Sequence, residues 1–161
     1  MGVYLSFSAY KKDSKGITGH VRPLGLYEAN LDLIEADKVF SADAVTFYSG
    51  INCIDVLLNA RTNLWDLEIM EEDLRFYKLA TNYFSGNGLK TIDSESHGVM
   101  FDPLPILRVI STLIRHLDSI KSSYVAYEVL SYEEEKRLLP LLQSLLQKSV
   151  DSGAVVYCVW A

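Results

Sequence analysis

The chain is poor in the residues that most often carry chemistry. It has two cysteines and three histidines in 161 residues. Cys53 and Cys158 stand far apart, and neither belongs to a CxxC pair, so no thiolate zinc site or redox dithiol is legible. Both lie in apolar stretches and read as small buried hydrophobes. Basic charge is also short. The net charge is −6, which opposes nucleic-acid binding, since that requires clustered Lys and Arg to neutralise phosphates. The one short cationic run, Lys11, Lys12 and Lys15, is too small to offset the rest. No run reaches the ~18 apolar residues of a membrane-crossing helix. The opening "MGVYLSFSAY" has no basic segment, long apolar core or small-residue cleavage site of a signal peptide. These features lead us to expect a cytoplasmic protein that binds neither nucleic acid nor membrane.

What is present is ordinary globular material. Hydrophobic residues make up 49% and charged residues 22%. A chain of this length buries roughly 70% of its unfolded surface, which predicts one domain over 1–161, a monomer when free, with no cofactor, metal or disulfide needed to hold it.

In the stretch 3–10, Val3, Leu5, Phe7 and Ala9 alternate with Tyr4, Ser6, Ser8 and Tyr10, the period of a strand. Gly16, Gly19, Pro23 and Gly25 then mark 11–25 as a loop. Helices are expected over 26–40, with Leu31, Ile34, Leu33 and Val39 inward, and after a Ser41 cap, with Ala44, Val45, Phe47 and Tyr48 inward. A further buried helix is expected in "INCIDVLLNA". Leu67, Met70, Leu74 and Tyr77 recur at helical spacing, and "SGNG" at 85–88 ends that helix. "HGVMF" reads as a short strand. Asp102 as N-cap and Pro103 at the first helical position start the best-defined helix. Its stripe is Ile106, Ile110, Leu113, Leu117 and Ile120, widened by Leu107 and Ile114. Ser131 and Glu134 match a capping box, Pro140 should kink the next helix or mark its true start, and Gly153 ends it. "AVVYCVW" closes the chain as an apolar strand, central and covered on both faces. The expected fold class is α+β, a small β-sheet including both chain termini, packed with about five to six helices.

The strand directly after "MG", the segment "HGVMFDPLPILRVISTLIRHLDSI" and the ending "LLPLLQSLLQKSVDSGAVVYCVW" together resemble the YfbM-like family of small bacterial proteins. The resemblance covers about half the chain and leaves 60–95 unmatched. It implies an α+β fold and carries over no catalytic residue.

The densest charge is in "WDLEIMEEDLRFYKLA". Asp66, Glu68, Glu71, Glu72 and Asp73 crowd into one short stretch, followed by Arg75 and Lys78. A helix starting near Asn63 or Met70 accounts for part of this, because its dipole favours carboxylates in the first turn. Glu71 and Arg75 are an attractive i,i+4 pair, whereas Glu68 and Glu72 repel. A catalytic carboxylate pair needs two distinct environments, which one exposed helix face does not supply. A docking face for a basic partner is the alternative, made of these five carboxylates with Trp65 and Tyr77, since aromatic residues are enriched at interfaces.

Other candidates are thinner. Asp93, Glu95, His97 and Asp102 have metal-ligand chemistry but no recognisable zinc spacing. His116 and Asp118, two apart on a helix, do not converge. His20 sits in the Gly-rich loop. There is no G-x-S-x-G elbow and no P-loop Lys-Ser/Thr. The expectation is a non-enzymatic, acidic protein-binding module, an immunity-type inhibitor of a basic bacterial toxin domain. The alternatives are a small enzyme using His97 and nearby carboxylates, or a YfbM-like protein without catalysis.

Overall fold

Strand formation begins where the alternation predicts it. In the computed structural model, Tyr4–Tyr10 forms β1, with Leu5, Phe7 and Ala9 fully buried on one face. The structure describes residues 4–21, 26–34, 37–39, 45–48, 51, 68–81, 97–121 and 129–160. In chain order, β1 is followed by β2 (Ile17–Val21), β3 (Leu26–Asn30), one helical turn α1 (Leu31–Ile34), β4 (Lys38–Val39) and β5 (Val45–Tyr48). Then come α2 (Glu71–Thr81), β6 (His97–Phe101), α3 (Pro103–Ile120), α4 (Val129–Ser152) and β7 (Val155–Trp160).

The seven strands form one sheet in the order β2-β3-β6-β7-β1-β4, with β5 pairing β1 as well. Every pairing is antiparallel. β7 sits between β6 and β1, and its residues alternate between two cores: Val156 and Cys158 join one, Val155 and Tyr157 the other. That is why its sequence is apolar throughout. The larger core packs the sheet against α2, α3 and α4 through Phe7, Phe47, Phe101, Ile110, Leu113, Leu139 and Leu142. On the opposite face, Tyr27, Met100 and Tyr157 lie side by side across β3, β6 and β7. Ile34 and Tyr10 complete that core, with Ile17 against it.

The link 11–16 is fastened by specific contacts. Lys11 N–H donates to the Asp37 carbonyl at 3.0 Å, and Asn30 N–H to the Gly16 carbonyl at 2.7 Å. The Ser14 hydroxyl donates to the Asp37 carboxylate at 2.6 Å. A Cβ on Gly16 would collide with the Ile34 side chain and stand 2.9 Å from its amide nitrogen, so only glycine permits this approach.

α3 forms as its stripe predicts. Ile106, Ile110, Leu113 and Leu117 are buried, and Pro103 occupies its first turn. Gly153, at φ +69°, ends α4 in a Schellman arrangement: Ala154 N–H donates to Ser149 and Gly153 N–H to Val150.

Several expectations are corrected. The small sheet with five to six helices gives way to a seven-stranded sheet with strands well inside the chain. Among the described residues there are three helices of eleven residues or more, plus the single turn α1. Residues 26–30 and 45–48 are strands, because pairing with β6 and β1 outweighs the helical spacing of a few apolar residues. β2 occupies part of the stretch read as loop. Leu33 and Met70 are exposed rather than inward, and Phe76 is buried with Leu74 and Tyr77. Asp102 makes no side-chain cap bond. α4 begins upstream of Ser131, so "SYEE" is not its capping box, and it runs through Pro140. Most of "INCIDVLLNA", the Ser41 cap and "SGNG" lie outside the described residues.

Candidate functional site

The apolar stripe of α3 has a polar complement on its outer side. Arg108, Ser111, Thr112 and Arg115 fall at intervals that place them on one helical face. They form the floor of an open groove of about 490 Å³. One wall is the turn before α2 and its first residues, Glu68, Met70 and Asp73. The other wall is Gln143 and Gln147 of α4. Leu107 and Ile114 supply apolar surface between them.

Ion pairs tie the first wall to the floor. Arg108 donates from Nη1 to Asp73 Oδ1 at 3.1 Å and to Oδ2 at 3.5 Å. Asp73 is only 7% exposed. Arg115 Nη1 lies 3.5 Å from Glu68 Oε2, and its Nη2 donates to Thr112 Oγ1 at 3.2 Å. The Thr112 hydroxyl donates in turn to the Arg108 carbonyl at 3.0 Å. Glu68 adopts φ +58°, a left-handed conformation that side chains other than Asn and Asp seldom hold. On the far wall, Gln143 donates to Ser111 Oγ at 3.1 Å and Gln147 to Asp151 Oδ1 at 3.0 Å.

The acidic stretch is therefore divided rather than uniform. Glu68, Glu71 and Glu72 are exposed. Glu71 reaches Arg75 at 3.9 Å as an i,i+4 pair, and Glu71, Glu72 and Asp73 occupy the first turn of α2, where the helix dipole favours them. Asp73 is structural, buried against Arg108. Tyr77 is 4% exposed and belongs to the core, so it is removed from the docking surface. Trp65 and Asp66 lie outside the described residues. The groove's Arg108, Arg115, Gln143 and Gln147 had no place among the expected site residues. The regular spacing of polar side chains opposite the apolar stripe of α3 is the signal that marks half of them.

A second polar cluster closes the other face of the sheet. Tyr27 donates its hydroxyl to Asp102 Oδ1 at 3.2 Å. Lys12 Nζ lies 3.9 Å from the same oxygen and 5.3 Å from the Tyr27 ring centre. The Tyr27 hydroxyl, and then the Asp102 charge, raise the Lys12 pKa against the cost of its desolvation.

Burial pushes the Cys158 thiol well up, which leaves it without the thiolate a nucleophile requires. Burial likewise raises the Tyr157 phenol to about 12. His97 opens β6 opposite Asn30, while Asp93 and Glu95 lie outside the described residues. Among the described residues no group of three His, Cys, Asp or Glu side chains is placed to hold a metal, and no helix is long and apolar enough to cross a membrane. No family model, curated protein or solved structure matches the chain.

Proposed function

We propose that this chain is a non-enzymatic protein-binding module, an immunity-type inhibitor that acts in the cytoplasm by docking a basic toxin domain. The observation that carries the reading is Met70, 61% exposed, at the groove's edge and beside the exposed carboxylates of Glu68, Glu71 and Glu72. Methionine is a soft, adaptable contact residue, and the exposed carboxylates next to it in sequence, of which Glu68 meets Arg115 and Glu71 meets Arg75, give it an acidic setting that steers a cationic partner toward that contact. Toxin nucleases bind phosphate and are accordingly basic, so a chain of net charge −6 offers them a competing anionic surface. The docking surface is the acidic lip Glu68, Glu71 and Glu72 with Met70.

Co-expression with a toxin domain encoded beside its gene tests the reading. Growth should be restored by the native chain and not by Met70→Lys, a change at an exposed position that leaves the fold intact. Absence of protection, or equal protection by the variant, contradicts it.

A further inference from the structure

We draw no further inference here: the strongest candidate, the open groove between α2, α3 and α4, has a floor whose Arg108 and Arg115 are already paired with Asp73 and Glu68, and nothing in the structure shows what covers it.

Discussion

Asp73 and Arg108 meet at 3.1 Å across two helices, one nearly buried and the other half-exposed. This contact fastens the first turn of α2 to the outer face of α3 and fixes one wall of the groove. Arg108→Met leaves a carboxylate with little water and no guanidinium, and should cost on the order of 1–3 kcal/mol, the range for a charged hydrogen bond lost at a buried group. The exposure of Arg108 keeps the value toward the lower end. Adding Asp73→Asn removes the stranded charge, so the double variant should be more stable than Arg108→Met alone. Urea unfolding of the three proteins is the check; a neutral Arg108→Met would show that the pair is only a surface contact.

The central helix offers a test of the core. Leu113 is fully buried between sheet and helices. Leu113→Ala should destabilise the protein by roughly 2–5 kcal/mol, because a cavity replaces the lost contacts. A loss below about 1 kcal/mol in urea would mean that the surroundings collapse onto the site instead.

Gly16→Ala should cost about 1–3 kcal/mol through overpacking against Ile34. Were the link 11–16 loosely laid on the sheet, the added methyl would be accommodated and the unfolding midpoint would not move.

How much of this could be read beforehand differs by element, for physical reasons. α3 was legible because proline at its first turn and a long apolar stripe point to the same answer. β7 and its preceding Gly153 were legible because the glycine stop and the continuous apolar run reinforce each other. The region 26–48 was not. Leu31 and Ile34 carry a helical interval, yet Tyr27 and Phe47 are set by long-range pairing with β6 and β1, which no local window contains. β2 was hidden because Gly16 and Gly19 read as turn residues, and one of them is there for close packing. In the acidic stretch, composition could not separate Asp73, neutralised by a residue 35 positions away, from Glu72 on the open surface.

Alkaline pH should weaken the fold through Tyr157. Burial raises its phenol to about 12, whereas an exposed tyrosine ionises near 10. Between those values the unfolded chain releases a proton that the folded chain keeps. The contribution is therefore whole below about pH 10 and is lost as pH rises toward about 12. Unfolding midpoints followed from about pH 9 to about pH 11 should fall less for Tyr157→Phe than for the native chain, as the linkage requires. Parallel curves would show that this phenol ionises as freely in the folded protein as in the unfolded one.

The association rate with the basic partner, measured across a salt series, tests the central claim most directly. Glu68→Gln, Glu71→Gln and Glu72→Gln together keep side-chain shape and remove three exposed charges, leaving the Asp73–Arg108 contact in place. The native chain should associate fastest at low salt and slow steeply as salt rises, because screening shortens the reach of its acidic lip. The triple variant should associate about tenfold or more slowly at low salt, within the range that steering supplies, and converge on the native rate at high salt. Its stability should stay within about 0.5 kcal/mol of the native chain, as for surface substitutions generally. Equal association rates for the two proteins at every salt concentration would contradict the account and reduce the three carboxylates to a solvated helix start.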